Sequence, residues 1–400
     1  MAENFASALG KIKVLDLTED RGLFTGRVLA DFGAEVVKIE KPEGSDARRI
    51  GPFKDDAPGS ESSLYFIHFN LNKKGITLNL GSLTGREIFK RLAGQADVII
   101  EDFEVGKLKA LGLDYPVLRE INKRLVLASL TGFGQSGPYS QFRAPDIVSF
   151  AMSGMMNISG PTNEPPVVAP CEQAFQSASL MSAFSILAAL FLRLRTGEGQ
   201  WIDTSAHETL SAFNIGIMTY SATAGITRRS GSRFNVAPSR IYPCKDGFVH
   251  ILVIRPNHWK IFVELLGRPD ALIGESWYDS EIRNRNRDTI DKLVIEFTLK
   301  HSKTEIVELC QSKGIPCTPV NTPKEFSQNP HETERKFIDE GVHPVIGRYS
   351  YLGSPYRLSE TPCRIQRTAP LLGQHNAEVY GNELGYSQED LTRMKAGGII

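Results

Sequence analysis

The chain opens with a short apolar run, KIKVLDL (11–17), whose β-branched residues have a strand's character. GLFTGRVLADFG (22–33) follows with helical spacing and a glycine at its end, and EVVKIE (35–40) reads as the next strand. The order then repeats: ITLNL (76–80), the helix TGREIFKRLAG (84–94), ADVIIEDF (96–103) and RLVLASL (124–130). Strands alternating with helices predict right-handed crossovers and a mostly parallel sheet, an α/β chain with a Rossmann-like large domain. Ligands of such sheets bind beyond the carboxyl ends of the strands, in loops that lead into helices. The first such loop, DLTEDRGLFTG, carries Gly22 and Gly26 but no GxGxxG, which argues against a nicotinamide or flavin.

Near residue 205 the pattern changes. HETLSAFNIGIMTYSA (207–222) is helix-like and leads into an Arg-rich passage, TRRSGSRFNVAPSR (227–240). Two short strands, SRIYPC (239–244) and GFVHILV (247–253), flank a turn, and amphipathic helices follow. These features predict a linker helix and a smaller α+β domain over 205–329. The large domain then comprises 1–204 and 330–400, its last part made of short β-like pieces (342–358) and a final helix.

Composition narrows the function classes. Hydrophobic residues make up 41% and charged residues 23% of the 400, as in ordinary soluble proteins. Lys+Arg and Asp+Glu balance at 46 each, so no overall field favours nucleic acid or an anionic membrane. Any anion site must be local. The longest apolar run (183–194) contains Ser185 and Arg193 and is too short to span a bilayer, so a buried helix is expected. Five cysteines, without CxxC or a His spacing, argue against a disulfide framework or zinc. The N-terminal residues lack a signal peptide's basic and apolar regions, and a reduced, cytoplasmic protein without metal is expected.

Taken together and in order, several segments resemble the class III CoA-transferases, a family that includes acyl-CoA racemases. They are VLDLT, LADFGAEVVKIEKPEGSDARR, SLYFIHFNLNKKGITLNL, ADVIIEDF, LGLDYPVLREINKRLVLASLTGFGQSGPY, LRTGEGQWID and APLLGQHN, and the resemblance runs from about residue 10 to the end. It implies an interlocked, ring-shaped dimer with active sites at the subunit contact, CoA thioesters as substrates and no other cofactor. By position it also implies CoA contacts at Arg21, Gly22, Lys41, Asn72, Lys73, Lys74, Gly75, Asp102, Phe103, Arg143 and Asp146. The chemistry agrees, because the phosphates of CoA need guanidinium or ammonium groups and backbone donors. Taken singly, each Lys or Arg is an ordinary solvated surface charge; as a set at strand ends they point to CoA. Three positions depart from the family's pattern. Asp102 and Glu104 place carboxylates beside the anion site, and Ala110 stands where many members have a cation.

The resemblance also says where the nucleophile belongs. In the transferases an aspartate at the start of a long helix attacks the donor thioester, giving a mixed anhydride and CoA thiolate. The thiolate then returns to form an aspartyl-CoA thioester, and the acceptor carboxylate runs the sequence in reverse. Counting back from ILAAL (186–190), that position is Phe175, which has no nucleophile to offer. Glu172, three residues upstream, is the fallback, with the ordinary alternative of a carboxylate favoured at a helix N-terminus. Cys171 is expected to be a small buried hydrophobe. The racemases' His-Asp pair corresponds to Pro145-Asp146, so the racemase chemistry fails for want of a base. His68 is expected to face the 72–75 loop as a site-lining or structural histidine, while His207, His250 and His258 are scattered singly. The expected protein is therefore the nucleophile-free subunit of a two-subunit transferase. Its partner supplies the aspartate, succinyl-CoA is the expected donor, and a carboxylic acid such as (R)-benzylsuccinate is the expected acceptor.

Overall fold

The computed structural model describes residues 7–161, 164–214, 222 and 236–400. Within them lies a six-stranded, all-parallel sheet in the order β3-β2-β1-β4-β5-β6. Its strands are β1 (Lys13–Asp16), β2 (Glu35–Glu40), β3 (Lys74–Thr77), β4 (Val98–Glu101), β5 (Val126–Thr131) and β6 (Trp201–Ser205). Five answer to the apolar runs of the sequence. The sixth, WIDTS, is an edge strand with only two apolar residues, the exposed Trp201 and the half-buried Ile202, before three polar ones, so it lacks the run that marks the others.

Strand alternation divides the core in two. Leu15, Val37, Ile39, Ile99 and Leu127 point to one face, against the helix Leu83–Ala93 and the C-terminal segment through Val379 and Tyr380. Val14, Val36, Val98, Ile100, Val126 and Ala128 point to the other. There they meet the helix α1 (Leu23–Asp31) through Leu29 and Ala30, and a 24-residue helix (Gln173–Thr196) through Ile186, Ala189 and Leu190. Two buried faces explain why the strands read as continuous apolar runs. The long helix exceeds the apolar run that announced it and is long and apolar enough to cross a membrane by length and composition. Its inner face is nevertheless part of the sheet's core.

The strand order reverses direction between β1 and β4, so the crevice expected of a doubly wound sheet lies at the loops after those two strands. Underneath it sits a buried ionic cluster. Lys73 Nζ lies 2.7 Å from Asp16 Oδ2 and also donates to the Leu23 carbonyl and Asn70 Oδ1, while Lys38 donates to the Thr18 carbonyl. Gly26 is required there, because a Cβ would fall 2.4 Å from Asp16 Oδ2 and 3.0 Å from Lys73 Nζ.

The chain divides into two compact units, Met1–Ser230 with Arg335–Ile400, and Gly231–Glu334. The composition shift at 205 does not mark the division. The helix Ala206–Ala212 there buries Ala206 and Leu210 in the large unit, against Leu130, Phe150 and Phe175. The smaller unit has an antiparallel sheet, β7 (Ser239–Cys244), β8 (Gly247–Leu252) and β9 (Cys317–Pro319), over a core that includes Tyr242, Trp259, Phe262 and Val294. Residues 227–235 of the Arg-rich passage lie outside the described residues.

Candidate active site

The loops after β1 and β4 are locked together by one side chain. Asp102, almost fully buried, accepts from the Glu19 N–H (2.7 Å) through Oδ1. Its Oδ2 accepts from the Arg21 (2.8 Å) and Gly22 (3.0 Å) N–H groups. These three donors are the ones an anion at the entrance to α1 would use. Asp102 was expected to contact CoA by position while setting a carboxylate beside the anion site. It instead serves as the anion of that loop and fixes its shape, and Gly22 has no free N–H for a phosphate.

The 72–75 loop is also internal structure rather than a phosphate cradle. Lys73 is completely buried in its pair with Asp16, so its ammonium reaches no ligand. Burial alone would raise the Asp16 carboxyl, but Lys73 and Lys38 beside it hold it below the ordinary range. Asn72, at φ 66°, ties the loop to the C-terminal segment by donating to the Arg364 carbonyl and accepting from the Gln366 and Arg367 N–H groups. Lys74 begins β3 and pairs with Glu35 and Glu378, and the Gly75 N–H donates to His375 Nδ1 at 3.0 Å. His68 packs edge-on against Phe69, and burial beside Arg27 lowers its pKa to about 4, as for a structural histidine. Lys41 is partly exposed and paired with Asp46 at 2.9 Å.

Three predicted residues do come together. Arg21, Phe103 and Arg143 line one narrow cleft with Glu104, Thr131, Phe133 and Phe142. Its polypeptide walls are the loop after β4 and the loop after β5. Lys107 lies 4.1 Å from the centre of the Phe103 ring, a cation over an aromatic face. Thr131 was missed in the sequence because a threonine closing an apolar strand carries no signal of its own. Beside the cleft wall, a cavity of about 290 Å³ is lined by Glu101, Val105, Tyr115, Leu127, Ser129 and Trp201, among others. Burial pushes the Glu101 carboxyl up to about 7, although Ser129 and the Phe103 N–H bond to it.

The start of the long helix carries Phe175, the position to which the resemblance assigns the nucleophile. Phe175 is 3% exposed and packs with Leu130, Phe150, Ala178 and Leu210. Its N–H donates to Asp146 Oδ1 at 3.0 Å, and the Ala174 N–H also bonds that carboxyl. Asp146 therefore caps the helix from a neighbouring turn, a structural use of the residue expected to contact CoA. Arg21 ends with its guanidinium 5.6 Å from the Phe175 ring centre, linking this corner to the cleft. Glu172, at φ 50°, is exposed at the helix entrance and accepts from the Tyr65 hydroxyl at 2.8 Å. Close by, burial and the negative charge of Asp102 push the Asp20 carboxyl up to about 6, against the pull of Arg21. Cys171 is exposed, contrary to the expected burial, and lies with Glu172 in a left-handed turn at the helix entrance.

Comparison with known proteins bears on the whole of this arrangement. A family model described as CoA-transferase family III matches residues 9–376. The formyl-CoA:oxalate CoA-transferase of Streptomyces avermitilis is 32% identical over 413 residues, covering 98% of this chain and 99% of that protein. The succinyl-CoA–D-citramalate CoA-transferase of Chloroflexus aurantiacus is 33% identical over 400 residues, with 98% of each covered. Subunit BbsE of the succinyl-CoA:(R)-benzylsuccinate CoA-transferase of Thauera aromatica is 30% identical over 401 residues, covering 98% and 97%. A crystal structure of a CaiB/BaiF family protein from Brucella suis superposes with a TM-score of 0.85 at 30% identity, over 94% of this chain and 99% of that one. With the strand order, the strand-end cleft and the helix entrance beside it, these similarities establish that the chain belongs to CoA-transferase family III.

Proposed function

We propose that the chain is the nucleophile-free subunit of a two-subunit CoA-transferase, whose partner chain carries the aspartate that becomes the aspartyl-CoA thioester. One observation carries the reading: the position where the resemblance puts the nucleophile is Phe175, a core aromatic at the start of the long helix. The similarity to a protein named as a subunit, BbsE, supports the two-chain assembly. It also favours succinyl-CoA as donor and (R)-benzylsuccinate as acceptor. An interlocked dimer is supported by the outer face of the long helix, where Leu180, Phe184, Phe191 and Leu194 project at helical spacing, Phe184 and Phe191 being 68% and 66% exposed. The chain's own part is to bind a CoA thioester in the cleft of Arg21, Phe103 and Arg143 and to complete the assembly.

A second reading has an observation of its own. Glu172 is an exposed carboxylate at the helix entrance, oriented by Tyr65, and a self-sufficient homodimer would use it as nucleophile. Co-expression separates the two. The first reading expects transfer from succinyl-CoA only when this chain is purified with a family III chain bearing the aspartate. The second expects turnover by this chain alone, abolished by Glu172→Gln. CoA binding without turnover in either setting would leave a non-enzymatic acyl-CoA-binding protein.

A further inference from the structure

At the end of β5 the polar accounting fails at one atom. Thr131 closes the strand, is only 5% exposed, and its Oγ1 has no hydrogen-bond partner among the described residues. Buried hydroxyls are nearly always paired, and an unpaired one is costly unless a ligand completes it. Thr131 lines the cleft between Arg21 and Arg143.

The shape of that cleft limits what can reach the hydroxyl. Its free interior is about 20 Å³, room for a group of about a water's size at its narrow depth and not for a ring. Gly132 helps keep it narrow, since a Cβ there would lie 2.1 Å from the Cβ of Ala144, so this backbone and Ala144 already touch. Phe103 and Phe133 supply apolar walls. The guanidinium groups belong to more exposed residues, Arg143 on the surface and Arg21 with its side chain 29% accessible.

We propose that Thr131 is a binding residue for the pantetheine arm of CoA, its hydroxyl bonding one of the arm's amides. The assignment rests on the reading of this chain as CoA-binding. A phosphate or carboxylate at this depth would lose its hydration between aromatic walls, with a neutral hydroxyl as its nearest compensation. An amide carries no charge, and a hydroxyl can either donate to its carbonyl or accept from its N–H. The methylenes on either side of the amide then lie against the phenyl rings, while the nucleotide phosphates stay near the exposed guanidinium groups. Arg21, reaching from the cleft to the Phe175 ring, marks the direction in which the thioester end runs.

Calorimetry on the purified full chain tests this with three probes: CoA, pantetheine and adenosine 3′,5′-bisphosphate. Thr131→Val, which keeps the side chain's shape, is expected to weaken CoA and pantetheine about tenfold each and to leave the bisphosphate unchanged. Thr131→Ser is expected to restore both affinities. Thr131→Ala repeats the measurement if melting curves show that valine is not accommodated. CoA binding equally well to wild type and variants overturns the role of Thr131 while the CoA reading stands. Wild-type chain that binds no CoA overturns the CoA reading, and the role of Thr131 with it.

Discussion

The ends of β1 and β5 use polar residues in opposite ways. Beyond β1, Asp16, Lys73 and Lys38 are taken up in one buried cluster and the Glu19, Arg21 and Gly22 amides are taken up by Asp102, so these groups are already used within the fold. At the end of β5, Thr131 is also buried but its hydroxyl has no partner among the described residues, and at the end of adjacent β4 burial holds Glu101 protonated to near neutrality. The contrast separates charge that builds the fold from polarity available for binding. A lysine in a basic loop is not evidence of a phosphate site until its partner is known. A lone buried hydroxyl in a cleft points more directly to a ligand.

Removing one member of the saturated network should have the largest effect. Lys73→Ala takes from buried Asp16 its nearer cation, leaving Lys38 at 3.7 Å, and is expected to cost about 3 kcal/mol of stability, read by denaturant unfolding. A soluble, stable Lys73→Ala protein with selectively weakened CoA binding would reverse the assignment of that lysine to the fold.

Glu101 gives the next effect, through pH. Its folded-state pKa of about 7 lies above the ordinary glutamate value of 4.5, so burial favours the protonated form. That contribution is complete below the unfolded-state value and is lost as pH rises toward 7, about 3 kcal/mol in all. Glu101→Gln should flatten the fall in melting temperature between pH 5 and about 8. An unchanged pH profile would place Glu101 in a far more solvated setting than the cavity wall provides.

Thr131→Val should change stability least, by under about 1 kcal/mol, because it removes an unsatisfied hydroxyl while keeping the side chain's volume. A loss comparable to that of Lys73→Ala would mean that the hydroxyl is already bonded within the protein, and the contrast between the two strand ends would fail.

Much of the large unit was legible in the sequence, because strands buried on both faces appear as unbroken apolar runs. The edge strand WIDTS did not, since it has only two apolar residues before three polar ones. In the site, Arg21, Phe103 and Arg143 were named through the resemblance, and the structure does bring them together in one cleft. The roles of Lys73 and Asp102 were not. Their partners, Asp16 and the amides of residues 19–22, lie 57 and about 80 positions away in sequence, and only folding makes them neighbours. Cys171 was not legible as exposed, because a cysteine's ordinary tendency is burial and the turn that carries it has no signal in its sequence.

The absence of a working nucleophile in this chain is the central claim, and covalent labelling tests it most directly. The purified chain, without a partner, is incubated with succinyl-CoA, quenched in acid and weighed intact by mass spectrometry. The account predicts the unmodified mass, with no acyl or CoA adduct, because Phe175 stands where the carboxylate would attack. A CoA adduct that forms on the wild-type chain and disappears in Glu172→Gln would contradict it, and would make this chain a complete enzyme with a glutamate nucleophile.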